Sequence, residues 1–174
     1  MKAKTVFNYC WVFDFDETLV KTKAKIKVFK NGVLVKSLTS KELKSFKKQP
    51  GEKTDFSEFT DKELIMDSTK YKAWLVLKKI SDEDTDDIYI LTGRDSEVKA
   101  YIYEFLKKNG IKIKFQNIIT VGDLRKYNGD IGKEKAIILR ELSKKYDKIY
   151  FYDDDPRNIE LAKTVPNIYT RLVK

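Results

Sequence analysis

Three groups of polar side chains, each directly after a hydrophobic stretch, have the types and the spacing that chemistry would need. They are Asp14 with Asp16, the Thr-Gly-Arg run at 92–94, and the three aspartates at 153–155. Two carboxylates two residues apart, roughly 7 Å between Cα atoms, repel each other unless one is protonated or a cation lies between them. A carboxylate can also attack phosphorus while its neighbour transfers the proton. These side chains therefore suit an Mg²⁺ site, and the Thr92 hydroxyl suits a phosphate oxygen.

The residue types that are missing narrow the chemistry further. The chain has no histidine, which excludes Ser–His and Cys–His nucleophiles and histidine metal ligands. Its single cysteine, Cys10, excludes an intrachain disulfide and a cysteine-built zinc site. Cys10, Trp11 and Trp74 are predicted to pack in the core. Catalysis would have to rest on carboxylates, hydroxyls, lysines and a metal.

The elements that would position these groups alternate between strand and helix. The hydrophobic runs predict strands at 6–13, 87–91, 113–121, 148–152 and 168–173, with helices at 71–80, 95–109, 132–146 and 156–163. This order predicts an α/β fold, a Rossmann-like parallel sheet with helices on both faces. Sites in such sheets lie beyond the carboxyl ends of the strands. A single aspartate cluster at a strand end is common, because aspartate favours turns and helix caps. Three polar clusters at the same edge of one sheet indicate a functional site.

Residues 21–86 form a long insertion between the first two strands of that sheet. Asn31-Gly32 between extended stretches at 22–29 and 33–38 predicts a two-residue β-hairpin. A two-residue turn would place Lys27 opposite Lys36, a like-charge pair that costs stability. A short helix is predicted at 40–47, and a mixed stretch at 54–69. We expect one domain over 1–174, with 21–86 as a small flap or cap over the site.

The net charge of the protein belongs to one part of the insertion. The chain carries 36 basic and 27 acidic residues, and 31 of the basic residues are lysines. Residues 21–53 hold eleven lysines and two glutamates, which equals the whole net charge of +9. This segment is either a surface for an anionic partner or a solvated face in a lysine-rich chain.

Three motifs, in order and at strand ends, resemble those of the haloacid dehalogenase (HAD) superfamily. Residues 13–20 (Phe-Asp-Phe-Asp-Glu-Thr-Leu-Val) resemble its first motif, Asp-x-Asp-x-Thr after a hydrophobic strand. Residues 88–94 (Ile-Tyr-Ile-Leu-Thr-Gly-Arg) resemble the second, and 150–158 (Tyr-Phe-Tyr-Asp-Asp-Asp-Pro-Arg-Asn) the fourth. The third motif is a lysine that opens the preceding helix. The resemblance covers 6–20 and 87–173.

The resemblance implies roles for the catalytic residues. Asp14 would be the nucleophile that forms an aspartyl-phosphate, and Asp16 would protonate the leaving oxygen and then activate water. Thr92 would hold the transferred phosphoryl group. Aspartate in the second position is what phosphatases of the family share, so dehalogenase chemistry is not expected.

The resemblance also implies a metal site and substrate contacts. Mg²⁺ would be bound by Asp14, Asp154 and the backbone carbonyl of Asp16. Asp153 would either bind the metal directly or contact one of its ligands. The remaining motif positions are candidates for substrate binding: Thr18, Gly93, Arg94, Lys133 and Asn158. Arg94 could contact substrate at the rim or pair with Asp95 or Glu97.

The motif lysine is Lys133 or Lys135. On a helix, Lys135 shares a face with the apolar residues Ile138, Leu139 and Leu142 that would pack on the sheet. Lys133 lies about 200° round the helix from that face. Lys135 is therefore the better candidate for the catalytic lysine.

The sequence favours a phosphomonoester hydrolase that uses Mg²⁺. One alternative is a phosphatase that processes the 3′ or 5′ ends of nucleic acids, with the lysine-rich flap along the phosphate backbone. Another is a non-catalytic anion-binding module on a phosphatase fold. The expected partners are a phosphorylated small molecule or a nucleic-acid end.

The expected location is the cytoplasm, and no membrane partner is expected. No stretch approaches the ~18 uninterrupted apolar residues of a membrane span. The apolar run near the amino terminus leads into Asp14 and shows no small-residue cleavage site, unlike a secretory signal.

Overall fold

A parallel sheet lies at the centre of the computed structural model, which describes residues 7–127 and 129–174. The strands are β1 (Tyr9–Phe13), β2 (Val20–Lys21), β3 (Ile26–Lys30), β4 (Val33–Leu38), β5 (Glu52–Asp55), β6 (Thr69–Lys70), β7 (Asp87–Thr92), β8 (Ile118–Thr120), β9 (Lys148–Asp153) and β10 (Ile168–Leu172). The helices are α1 (Ser40–Leu43), α2 (Lys62–Met66), α3 (Trp74–Glu83), α4 (Lys99–Lys108), α5 (Ile131–Ser143) and α6 (Pro156–Ala162). In the described ranges, five strands form the central sheet in the order β10-β9-β1-β7-β8, all parallel.

Helices cover both faces of this sheet, which confirms the predicted α/β fold. Alternate residues of β1 point to opposite faces. Phe13 packs in a core with α3 and α4, whereas Cys10 and Val12 pack in a second core with α5 and α6. Because both faces are buried, β1 is a nearly continuous hydrophobic run.

Several element boundaries differ from the sequence prediction. The structure has β1 starting at Tyr9, and Val6 lies outside the described residues. The strand predicted at 113–121 is reduced to Ile118–Thr120, because a 3₁₀ turn occupies Phe115–Asn117. Cys10 and Trp74 are buried as predicted, whereas Trp11 is half-buried and its indole N–H donates to Asp86 at 2.8 Å.

The hairpin in the insertion forms, but with a shifted register. Asn31 and Gly32 have φ values of 51° and 79°, the left-handed conformation that a tight two-residue hairpin turn requires. The register shifts between Val28 and Phe29, so that Lys36 lies opposite Val28. The predicted Lys27–Lys36 pair is therefore wrong. Lys27 lies opposite Ser37 instead, and its ammonium pairs with Glu58 at 3.0 Å.

The rest of the insertion is more regular than predicted. Thr39, not Ser40, caps α1, and the helix ends at Leu43 rather than near 47. Strand β5 pairs with β3 and completes a three-stranded sheet in the order β4-β3-β5. Asp61 caps α2 by accepting from two backbone N–H groups. None of the helices in the described ranges combines the length and the apolar character needed to cross a bilayer.

Candidate functional site

The site is built at the carboxyl edge of β1, β7 and β9. Phe13 lies opposite Tyr152 on one side and Ile90 on the other. The Asp14 N–H then donates to the Tyr152 carbonyl at 2.9 Å, which extends the β1–β9 ladder by one residue. This backbone contact fixes where the Asp14 carboxylate leaves the sheet.

Three carboxylates converge at this edge. Oxygens of Asp14, Asp153 and Asp154 all lie within 4.8 Å of one another. Asp14 is 6% exposed and Asp153 is fully buried. Hard divalent cations prefer carboxylate oxygens, and a cation between the three would cancel repulsion that solvent cannot screen. The donor set therefore fits Mg²⁺.

Lys135 is the cation that the structure already places in this cluster. Its side chain is buried, and Nζ donates to Asp14 Oδ1 at 2.7 Å and to Asp153 Oδ2 at 2.8 Å. Lys133 is exposed near the start of the same helix, where its backbone N–H donates to the cap residue Asp130. The structure thus brings Lys135 to the site and leaves Lys133 outside it.

Asp153 is fixed by neighbours on three sides. Besides Lys135, it accepts from the Asn158 amide, 3.1 Å from each oxygen, and from the Asp155 N–H at 2.8 Å. A buried carboxylate is stable only when it is paired and hydrogen-bonded. These contacts make Asp153 a fixed anion that orients Lys135.

The electrostatics leave the cluster short of positive charge. Burial, together with the charges of Asp153, Asp154 and Asp16, raises the pKa of Asp14 well above its usual range, although Lys135 opposes the shift. Burial also raises the pKa of Asp154, against the effect of Lys44. Burial alone would lower the pKa of Lys135, but Asp14 and Asp153 outweigh it and raise that pKa. Lys135 therefore stays protonated, and a further cation would be favourable beside Asp14 and Asp154.

Lys44, from the insertion, approaches the same cluster. Its ammonium pairs with the Asp154 carboxylate and donates to the Asp154 backbone carbonyl at 3.0 Å. Sequence reasoning did not predict this contact, because Lys44 is one of eleven lysines in the basic segment 21–53. It places a positive charge on a candidate metal ligand.

Arg94 lies buried in the lining of the site cavity, and it pairs with Asp16. It is 2% exposed, with Nε 2.9 Å from one Asp16 oxygen and Nη2 2.8 Å from the other. Nη1 donates to the Phe59 carbonyl at 2.6 Å, and the guanidinium lies against the Phe15 and Phe59 rings. The guanidinium pairs with Asp16 and not with Asp95 or Glu97, and its contact with substrate stays a prediction.

Two predicted hydroxyl residues are buried beside the site rather than on its surface. Thr92 is fully buried, and its Oγ1 accepts from the Arg94 N–H at 3.2 Å. Thr18 is also fully buried, and its hydroxyl has no hydrogen-bond partner among the described residues. Gly93 and Asn158, by contrast, line the cavity of the site.

The cavity has a volume of about 150 Å³ and two contrasting walls. The sheet edge and the start of α5 give an acidic wall with one ammonium group: Asp14, Asp16, Asp153, Asp154 and Lys135. The insertion gives a wall that is largely apolar apart from the Lys44 ammonium: Ile26, Ser40, Leu43, Lys44, Phe56, Phe59 and Thr60. Sequence reasoning missed these wall residues, because their apolar pattern has the same appearance as core. The insertion thus covers the carboxylates and shields them from water.

Comparisons with known proteins identify the fold. No protein-family model and no curated protein matches this sequence. Among solved structures, the chain is similar to the HAD domain of effector protein Lem4 from Legionella pneumophila, with a TM-score of 0.50 and 16% identity. The match covers 96% of this chain and 86% of that one. The five-stranded sheet and its helices therefore have a HAD-like fold.

Proposed function

We propose that this protein is a phosphomonoester hydrolase that depends on Mg²⁺ and forms an aspartyl-phosphate on Asp14. The observation that carries the proposal is the cluster of Asp14, Asp153 and Asp154, of which Asp14 and Asp153 are buried and paired with Lys135. It lies at the carboxyl edge of a sheet with a HAD-like fold. Buried carboxylates with raised pKa values are costly to a fold and are typical of functional sites.

The cation would be held by Asp14 and Asp154, with Asp153 and the carbonyl of Asp16 as further oxygen ligands. When bound, it would supply positive charge to the phosphoryl oxygens during transfer. Lys135 supplies the same kind of charge from the protein, since it stays protonated between two carboxylates. Lys135 also orients the nucleophile through Asp14 Oδ1, while Oδ2 accepts no hydrogen bond from the described residues.

In the first step, an Asp14 oxygen bonds to phosphorus and the bond from phosphorus to the leaving oxygen breaks. Asp16 gives its proton to that oxygen. In the second step, Asp16 takes a proton from water, and the water oxygen displaces Asp14 from phosphorus. Arg94 donates to both oxygens of Asp16 and so holds its carboxyl group in place at the cavity.

The test is a hydrolysis screen over sugar phosphates, nucleotides and 3′- and 5′-phosphorylated oligonucleotides, with Mg²⁺ or with a chelator. We expect phosphate release from at least one class, only when the cation is present, and none from Asp154→Ala. Hydrolysis that survives the chelator would contradict the proposed dependence on Mg²⁺. Release of phosphate from oligonucleotide ends alone would indicate a phosphatase that processes nucleic-acid ends. No release from any substrate would indicate a non-catalytic anion-binding module.

Lys44→Ala should bind Mg²⁺ more tightly, because the Lys44 ammonium competes with the cation for Asp154. A partly exposed ion pair contributes up to about 1 kcal/mol, so we expect an approximately fivefold gain in affinity by titration calorimetry. Lys41→Ala is the matched control, an exposed lysine of α1, the helix that Lys44 caps, with no ion pair among the described residues. Equal affinities in the two variants would show that Lys44 does not compete for the metal site.

A further inference from the structure

The tip of the β3–β4 hairpin, residues 30–36, exposes an aliphatic patch. Val33 is 65% exposed, Leu34 50% and Val35 45%, and they are consecutive in β4. Single exposed apolar residues are ordinary on protein surfaces, but a contiguous group marks a contact site. The sequence did not reveal this patch, because 33–38 has the same composition as a strand that packs on a core.

Both sides of β4 are open in this patch. The strand lies at the edge of the β4-β3-β5 sheet. Val33 and Leu34 are successive strand residues and point to opposite faces, whereas Val35 is the extra, unpaired residue of the bulge in β4, and all three are exposed. A rigid partner docked on one face would leave part of the patch in water. A fluid medium that surrounds the tip would cover all three side chains.

Lysines surround the patch, and the acidic residue opposite Lys30 in the sheet, Glu52, is buried. Lys30 and Lys36 flank the patch in the chain, and Lys53 lies opposite Phe29 in the neighbouring strand. The Lys36 ammonium lies 5.3 Å from the centre of the Phe46 ring. Lys47 and Lys48 directly follow Phe46 in the chain. These five lysines form no ion pair within the part of the chain that the structure describes: Lys30, Lys36, Lys47, Lys48 and Lys53.

The two acidic groups of residues 21–53 are engaged by backbone N–H groups, and of the two only Glu52 is buried. Glu42 accepts from Thr39 in the cap of α1, and Glu52 is 7% exposed and accepts from the Gln49 N–H. Lys23, Lys27 and Lys44 of this segment pair with acidic residues outside it, whereas the five lysines around the tip form no ion pair with these two glutamates.

From this combination we propose that the hairpin tip inserts into an anionic lipid surface. Aliphatic side chains enter the acyl boundary while lysines contact anionic head groups, which is how peripheral proteins bind membranes. A second copy of the chain would bring like charges together, and a nucleic acid would leave the aliphatic side chains unused. The sequence predicted no membrane partner because it has no membrane-spanning segment, but peripheral binding does not require one. This proposal is independent of the phosphatase activity.

The test is co-sedimentation of the full chain with vesicles of phosphatidylcholine alone or mixed with phosphatidylserine. We expect binding to the mixed vesicles only, with at least tenfold weaker binding when Val33, Leu34 and Val35 are all replaced by serine. Leu75→Ser is the matched control, because Leu75 is 79% exposed on α3. Unchanged thermal unfolding would show that the triple variant is folded.

The charge contribution has its own variant. Replacing Lys30 and Lys36 with glutamine should weaken vesicle binding about fivefold for each lysine at low salt, and less at high salt. Lys107 and Lys108, exposed on α4, are the matched pair for the same substitution. Equal losses from the two pairs would show that binding follows net charge alone, and would overturn the proposed site.

Insertion can be distinguished from adhesion by a fluorescent reporter. Leu34→Trp should shift its emission to shorter wavelengths when anionic vesicles are added, whereas Leu75→Trp should not. Loss of binding in the lysine variants only, with no shift at Leu34, would mean surface adhesion and would overturn insertion. Binding to an oligonucleotide but not to vesicles, or a dimer in solution that the serine variant dissociates, would also overturn the proposal.

Discussion

Asp14→Asn should abolish turnover while the protein stays folded. An amide is a poor nucleophile and a poorer ligand for Mg²⁺, so the loss should be several orders of magnitude. The expected result with p-nitrophenyl phosphate is neither steady-state release of nitrophenol nor an initial burst. Wild-type-like rates in Asp14→Asn would contradict the covalent mechanism.

Asp16→Asn is the matched comparison, because it tests a different step of the same reaction. Nitrophenolate is a good leaving group and does not need the Asp16 proton, so the first step should survive. The second step needs Asp16 to take a proton from water. The variant should therefore release about one equivalent of nitrophenol per protein and then stop, because the phosphoryl group stays on Asp14. Mass spectrometry of the protein would detect this phosphoryl group. A variant with no burst would place Asp16 in the first step for all substrates.

The same Asp14→Asn variant should be at least as stable as the natural protein without a cation. The folded-state pKa of Asp14 lies above the unfolded value of 3.8. The folded chain therefore binds this proton more tightly, and the resulting stability is complete below pH 3.8 and is lost as the pH rises through the folded pKa. As the pH rises from 3.8 through the folded-state pKa, the Tm of the natural protein should therefore fall relative to that of Asp14→Asn. A constant Tm difference would mean that Asp14 ionises freely in the folded protein.

Local patterns in the sequence predict the central sheet and part of the site well. Buried parallel strands are continuous hydrophobic runs, and the residues that follow them meet at one edge. This logic located Asp14 and Asp153. It also chose Lys135, because a lysine that heads the apolar stripe of a helix is directed to the sheet edge. Lys135 and Asp14 are 121 residues apart, yet each position follows from its own element.

The contacts that sequence reasoning missed depend on the position of the insertion. Arg94 lies beside Asp95 and Glu97 in the chain, but its partner Asp16 is 78 residues away. Lys44 meets Asp154 across 110 residues. No periodicity encodes how the insertion folds over the sheet, and one register shift in its hairpin was enough to remove the Lys27–Lys36 pair. Such contacts are consequences of packing between segments.

Lys135→Met should reduce both stability and activity, whereas Lys133→Met should have little effect on either. The methionine fills the space of the lysine stem but leaves Asp14 and Asp153 buried without their cation. Removing one partner of a buried ion pair typically costs about 3–5 kcal/mol. Lys133 is exposed and its side chain forms no ion pair among the described residues, so its replacement should cost little. Denaturant unfolding without Mg²⁺ measures the effects on stability, and hydrolysis of p-nitrophenyl phosphate with Mg²⁺ measures the effects on activity.

Adding Asp14→Asn to Lys135→Met should recover part of the lost stability, because the double variant has one fewer unpaired carboxylate. The recovery should be about 0.5–3 kcal/mol, the usual coupling between residues in contact. Mg²⁺ should also stabilise Lys135→Met, since a cation at Asp14 and Asp154 replaces part of the missing charge. Additive effects of the two substitutions would show that Lys135 and Asp14 do not interact. If Lys133→Met were the more harmful variant, the third motif would belong to Lys133, although the proposed reaction class would survive.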